Sequence, residues 1–321
     1  MKITHFERAI FISWYCSKRD CAFCYLSSKT AAQDPKKGRR SIASILAEAI
    51  ICKACGWKVE FISGGCESYS DEELLFIIKN IYKITKQKQW LNIGVLNESQ
   101  LMLFKPYLEG VCGTVECITP ELRDKLCPSK PLDEIESMFS LCGKLGLKKT
   151  ITLILGIGET IDDFNHLKDF IRKNGLGQIT FYRLKPQKGT VFEGKKGPDT
   201  KYYLEWVKKT RKEFPKMKIV VGSWLTHLDE IHLLLKAGAD AVTKFPSVRK
   251  FNSSYAKKIE QEAQKAGFRF EGTLTKLPKI SIKRELGSLD LNQRLKNKIN
   301  VKLKEYLKRM KKSHSPLANR R

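Results

Sequence analysis

Cys16, Cys21 and Cys24 stand in the segment WYCSKRDCAFCY, directly after an apolar run, Ala9 to Ser13, that reads as a short β-strand. Three thiols in one strand-end loop make a metal-ligand set, because thiolate is a soft donor for iron and zinc. A structural zinc site takes four protein ligands, usually as two pairs, and no fourth partner lies close by in the sequence. Three thiolates instead suit a [4Fe-4S] cubane with one iron left open to an outside ligand. The competing class is a zinc-stabilised basic protein that binds RNA or another protein, which predicts a colourless, air-stable molecule.

Seven further cysteines are Cys52, Cys55, Cys66, Cys112, Cys117, Cys127 and Cys142. Ten in 321 residues fall far below the density of a disulfide-stapled secreted domain, so free thiols or metal ligands are expected. Cys66, Cys117 and Cys127 follow the second and fourth predicted strands, where they could face the cavity and hold a second iron-sulfur cluster. Cys52, Cys55 and Cys142 fall on predicted helices, where a buried cysteine behaves as a small hydrophobe.

Eight apolar, β-branched runs alternate with helical patterns: Ala9 to Ser13, Lys58 to Ser63, Leu91 to Val95, Gly113 to Cys117, Thr150 to Leu155, Gln178 to Arg183, Lys218 to Val221 and Ala239 to Thr243. Ser41 and a Ser70–Glu73 capping box open helices, Pro131 fits a first-turn position, and Gly56, Gly146, Gly175, Gly238 and Gly267 close helices. The alternation argues an α/β chain with a parallel sheet, and eight repeats suffice for a (β/α)8 TIM-type barrel over residues 1–278. An open doubly wound sheet shares the pattern, and either topology puts functional residues at the C-terminal ends of the strands. Beyond the barrel, residues 281–321 carry thirteen Lys or Arg against three acids. Leu291, Leu295, Ile299, Val301, Leu303 and Leu307 there suggest a basic C-terminal helical extension, residues 279–321, ending in a loose tail from His314 to Arg321.

A net charge of +26 favours an anionic partner, although lysine decorating helix faces throughout would give the same figure. No appended RNA-binding module or aromatic-basic repeat is present, so nucleic acid is not expected. No run approaches 18 apolar residues and no N-terminal segment reads as a signal, so no membrane contact and a cytoplasmic location are expected.

The cysteine loop resembles the CxxxCxxC signature of the radical S-adenosylmethionine (SAM) superfamily, with Phe23 before the last cysteine and one extra residue between Cys16 and Cys21. Further segments extend the resemblance over roughly residues 5 to 275. Gly64 and Gly65 in SGGC match a glycine segment that meets the methionine amino group, with Cys66 in place of the usual acid. Glu116 in GTVEC occupies a place where relatives contact the ribose or methionine part. ILGIGET resembles an adenine-side segment, which puts Ile154, Gly156 and Gly158 near the base with Glu159 supporting the turn. FYRLKPQKGT matches another adenine-facing position and implicates Arg183 and Pro186.

What the resemblance implies is a [4Fe-4S] cluster on Cys16, Cys21 and Cys24, bound SAM, and reductive formation of a 5′-deoxyadenosyl radical that abstracts hydrogen from a substrate. It also implies an electron donor such as ferredoxin or flavodoxin. ECITPELRDKLCPSKPLDEI, AGADAVTKFP and GTLTKLP look like the biotin synthase branch. The leading expectation there is sulfur insertion of the lipoyl synthase or biotin synthase type, on an acidic carrier protein or with a second radical SAM subunit. The alternative is an HmdB-like role in building the guanylylpyridinol cofactor of [Fe]-hydrogenase. Lys185 and Lys188, in the loop after the sixth predicted strand, are candidates for a substrate carboxylate.

Overall fold

A computed structural model describes residues 1–28 and 32–312. Eight parallel strands follow one another around a barrel in chain order: β2 (Glu7–Ser13), β3 (Lys58–Gly64), β4 (Gln89–Asn92), β5 (Leu108–Cys112), β6 (Lys148–Leu155), β7 (Gln178–Arg183), β8 (Lys218–Gly222) and β9 (Ala241–Thr243). A Phe6–Val242 bridge closes the ring between its first and last strands. Both faces of the sheet are covered, so β7 is buried along its whole length, its polar Gln178, Thr180 and Arg183 included. The open doubly wound alternative is thereby set aside. Among the described residues no helix is long and apolar enough to cross a membrane.

Two short strands escaped the pattern. β1 (Lys2–His5) and β10 (Phe268–Glu271) form a separate parallel pair, and β1 leads straight into β2 at the N-terminal rim. The fourth barrel strand also lies earlier than the alternation suggested, over Leu108–Cys112 and not Gly113–Cys117. Residues 113–117 still bond to β6, through Gly113 N–H to Thr150 O and Glu116 N–H to Thr152 O, but as an irregular bulge with Glu116 at φ 60°. Period-2 counting cannot distinguish such a bulge from a continuing strand.

The outer layer comprises α1 (Pro35–Gly38), α2 (Ile42–Cys55), α3 (Asp71–Thr85), α4 (Glu98–Phe104), α5 (Pro120–Leu126), α6 (Leu132–Lys144), α7 (Phe164–Asn174), α8 (Thr200–Glu213), α9 (Ile231–Ala237) and α10 (Ser254–Lys265). Ser41 caps α2 through Ser44 N–H, and Ser70 with Glu73 closes a reciprocal capping box on α3. Cys52, Cys55 and Cys142 are buried among aliphatic side chains on α2 and α6.

The basic C-terminal region forms two helices, α11 (Ile282–Gly287) and α12 (Gln293–Lys312). α12 packs on α2 through buried Ile299, Leu303 and Met310, while Val301 is exposed. The expected tail from His314 to Arg321 lies outside the described residues.

Arg40 joins these layers at the C-terminal end of the barrel. It donates to Phe11 O at 2.7 Å and to Tyr306 Oη at 3.1 Å, and it pairs with Glu48 at 2.7 Å. Glu48, buried on α2, also takes Arg8 of β2 at 2.6 Å. Burial alone would raise the Glu48 carboxyl, but the charges of Arg8 and Arg40 outweigh it and hold the group below its ordinary value. A depressed carboxyl contributes stability above its unfolded pKa, roughly 4.3, and loses it as pH falls through the folded value. Replacing Glu48 by Gln should therefore lower stability at neutral pH by about 3–5 kcal/mol and flatten the acid limb of a denaturation-versus-pH profile, whereas an unchanged acid limb would show that the pair carries no such linkage.

Candidate active site

The chain leaves β2 at Ser13 and turns at once: Trp14 N–H donates to Gly38 O at 2.8 Å and Tyr15 N–H to Ser13 Oγ at 3.0 Å. The exit of β3 presses against this turn. A Cβ on Gly65 would lie 2.0 Å from Tyr15 O and 2.5 Å from Cys16 Cβ, so the approach needs a residue without a side chain. Beyond Gly65, Cys66 N–H donates to Cys16 Sγ at 3.4 Å, and Ser68 Oγ donates to Tyr15 O at 3.2 Å and Gly65 O at 3.0 Å.

The other flank of the cysteine loop docks on the segment after β5. Ala22 N–H donates to Leu126 O at 2.7 Å, and the Asp20 carboxylate accepts from Ser129 N–H at 3.0 Å and Ser129 Oγ at 2.7 Å. Buried Arg123 holds that segment together by donating to the carbonyls of Val115, Cys117 and Lys130. These contacts bring Glu116 and Lys130 to the cysteine loop.

A cavity of about 620 Å3 at the C-terminal mouth of the barrel is walled by Cys16, Cys21, Phe23, Cys24, Gly64, Gly65, Cys66, Glu116, Lys130 and Ile154, among others. The three thiols differ in acidity. Cys16 lies well below the ordinary thiol range, because the Cys66 thiol donates to it and the backbone N–H groups of Arg19, Cys66 and Lys18 outweigh burial. Burial pushes Cys21 up to about 12 and also raises Cys24. Burial would lower Lys130, but negative charge on Cys21, Glu116, Cys66 and Cys24 holds its ammonium above the usual lysine value.

Other expected residues sit differently. Gly156 and Gly158 turn the chain beside Pro198 and Leu122, off the cavity wall, and Glu159 secures that turn by accepting from Gly156 N–H at 2.6 Å and Ile157 N–H at 2.9 Å. Arg183 reaches the wall, but its guanidinium is taken by buried Glu230, the Pro198 carbonyl and Thr200 Oγ1. Lys185 lines the cavity and Lys188 does not. Cys117 and Cys127 leave the wall and pack with Cys21, Phe23, Leu126 and Ile157 in a small apolar cluster, so they do not share a cavity with Cys66.

Lys130, Asp20, Arg123 and Ser129 were not among the sequence candidates. Their roles depend on the fold of residues 113–130, and the one available signal was the CPSKP segment, whose lysine follows a predicted strand and cysteine pair without any periodicity to place it.

The donor set suits an iron-sulfur cluster. Among the described residues no three His, Cys, Asp or Glu side chains converge as ligands of a single ion. A cubane imposes no such convergence, because each thiolate binds a different iron. Cys16, Cys21 and Cys24 would hold it from one loop, with a preformed N–H cradle on Cys16 and cavity space beyond them.

Residues 11–171 match the model of the radical SAM superfamily. An uncharacterised protein of Methanocaldococcus jannaschii is 41% identical over 283 residues, 88% of this chain and 78% of that one. Biotin synthase of Methanococcus aeolicus is 25% identical over 181 residues, 56% of this chain and 55% of its own length. The crystal structure of methylornithine synthase superposes with a TM-score of 0.69 at 17% identity, covering 90% of this chain and 86% of that one, a likeness of fold. With the cysteine loop at a barrel mouth and a superfamily model matched across half its length, the chain belongs to the radical SAM superfamily, as a biotin synthase-like member.

Proposed function

We propose that this protein is a single-cluster radical SAM enzyme that removes a hydrogen atom from a small molecule held in the barrel mouth. The observation that carries this reading is the shared cavity, where the three loop thiols face Gly64, Gly65, Glu116, Lys130 and Ile154 across one space. Cys16, Cys21 and Cys24 would hold a [4Fe-4S] cluster, which would supply the electron for reductive cleavage of SAM. In this reading ferredoxin or flavodoxin delivers that electron.

The chain's own residues position the cofactor. The Gly64–Gly65 backbone receives the methionine amino group, and the Lys130 ammonium pairs with the methionine carboxylate. Glu116, oriented by a 3.0 Å hydrogen bond from Thr152 Oγ1, accepts from the ribose hydroxyls. Ile154 flanks the base, while Phe23 and Leu184 on the wall exclude water from the reacting atoms.

Sulfur insertion of the biotin synthase or lipoyl synthase kind is the second reading, favoured by the biotin synthase likeness. It needs a sacrificial cluster, and the separation of Cys66 from Cys117 and Cys127 gives that cluster little support. A cofactor-forming C–H activation needs no such donor.

Anaerobic reconstitution should give a brown protein with roughly four irons per chain. Substituting any of Cys16, Cys21 or Cys24 by Ala should abolish both iron retention and reductive release of methionine and 5′-deoxyadenosine, whereas Cys117→Ser and Cys127→Ser should retain the iron. About eight irons, lost in part with those two serines, would restore sulfur insertion. A colourless protein with stoichiometric zinc would overturn the enzyme reading altogether.

Lys130→Met should weaken SAM binding by about 1.5–3 kcal/mol, the range of a hydrogen bond to a charged group, in an equilibrium binding assay on the iron-loaded protein. An unchanged affinity would remove Lys130 from the cofactor site.

A further inference from the structure

A second cavity of about 560 Å3 adjoins the cofactor cavity on the β7–β9 side of the mouth, and Ala9, Phe11, Leu184, Lys185, Trp224 and Lys244 are among the walls the two share. Phe6, Phe245 and Pro246 make much of the remaining wall apolar. Most charged groups at this second cavity are already matched within the protein. Glu7 pairs with His5 at 2.8 Å and Lys218 at 2.6 Å, and Glu60 accepts from Tyr182 Oη at 2.7 Å and from Thr243. Arg8 and Arg183 are paired with Glu48 and Glu230.

Arg249 is an exposed cation at the rim, and Lys185, also exposed, and half-buried Lys244 are placed otherwise. The ammonium groups of these two lysines lie over aromatic faces, 4.7 Å from the Trp224 ring centroid and 3.9 Å from that of Tyr182. Among the described residues no carboxylate oxygen lies within ion-pair distance of either, although the charge of Lys244 acts on buried Glu60. Lys244 is also held in a conformation that side chains avoid, φ 66°, directly after the last barrel strand. Gly222 leaves room for it: a Cβ there would lie 2.7 Å from Lys244 Cγ and 2.8 Å from Tyr182 Cδ1. Strained backbone and missing side chain together keep the lysine folded over the barrel mouth, half-buried against Tyr182. Glu60 lines the same cavity and feels the charge of Lys244, but its oxygens are taken by Tyr182 and Thr243, so a cation fixed beyond ion-pair reach of any carboxylate matches an anion brought by a ligand.

We infer that this cavity binds the substrate as a carboxylate on an apolar body, with Lys244 and Lys185 holding the carboxylate. The inference rests on the proposed function, which makes the adjoining cavity the cofactor site, and it names the substrate class. The shared wall then sets the C–H bonds of the substrate's apolar body beside the cofactor space. A single carboxylate suits two ammonium groups above aromatic rings. A phosphate would bring a larger hydration shell against the same apolar wall.

The test is calorimetric binding to the full anaerobically purified chain, with hexanoate and phenylacetate as probes and with hexanamide, phenylacetamide and inorganic phosphate as controls. Both acids should bind and compete with each other, their amides should bind at least tenfold more weakly, and phosphate should not displace the acids. Lys244→Met should weaken acid binding at least tenfold and Lys185→Met severalfold. Amides binding as tightly as acids, displacement by phosphate, or undiminished acid binding to Lys244→Met would each overturn the inference, and the first two need no variant to fold. Reductive SAM cleavage is measured separately without a carboxylate. A protein that releases methionine and 5′-deoxyadenosine yet binds no acid loses only this inference, and one that binds acids without cleaving SAM loses the functional reading instead.

Discussion

Everything at the mouth of this barrel depends on a backbone contact: the exit of β3 at Gly65 lies against Tyr15 and Cys16 at a distance that no side chain tolerates. The contact places Cys66 N–H on Cys16 Sγ and lets Ser68 tie both chains together. With any β-carbon at residue 65, the cysteine loop would have to lift from β3 and Cys16 would lose its N–H donor. The opposite flank, through Asp20 and Ser129, would then be left to orient Cys21 and Cys24 alone. A loop with three thiols is flexible by composition, and two strand-end segments clamp it into one arrangement.

The clamp also sets the electrostatics. Thiols in an apolar mouth resist ionisation, and burial raises Cys21 and Cys24 accordingly. Metal binding requires thiolates, so part of its free energy goes to removing those protons. The fold eases this in two ways: donors on Cys16 stabilise one thiolate in advance, and Lys130 brings a positive charge among Cys21, Cys24 and Cys66. Arg123 supports the second of these, because it fixes the carbonyl of Lys130 and the chain around Cys117 at once.

How much of this was legible in the sequence follows from range. The Ser41 and Ser70 caps, the alternation of strands and helices, and the cysteine spacing are local features, and the observed barrel agrees with them. The segment after β5 was misread because GTVEC alternates like a strand while its backbone bulges at Glu116. Arg183 illustrates a second kind of failure. Its position at a strand end was readable, but its guanidinium belongs to Glu230, 47 residues later, and only tertiary structure makes that pairing. Cys117 and Cys127 illustrate a third, since strand-end thiols can face the cavity or the packing beneath it, and period-2 counting is silent once the chain leaves the strand.

Positive backbone φ in residues with side chains marks where the fold accepts strain, at about 1–3 kcal/mol each. Arg19, Glu67, Glu116 and Lys244 are of this kind and all lie in segments that leave strands at the C-terminal end of the barrel, whereas Lys86 merely caps a helix. A large apolar core, continuous from β2 to α12, offsets that cost and over-determines the strand ends. Strain of this sort aims a side chain where relaxed backbone would not: it sets Glu116 on the cysteine side of the cavity and Lys244 on the far side. An acid and a cation are thus held apart across a space shared by the thiols, an arrangement that relaxation toward a more stable loop would erase.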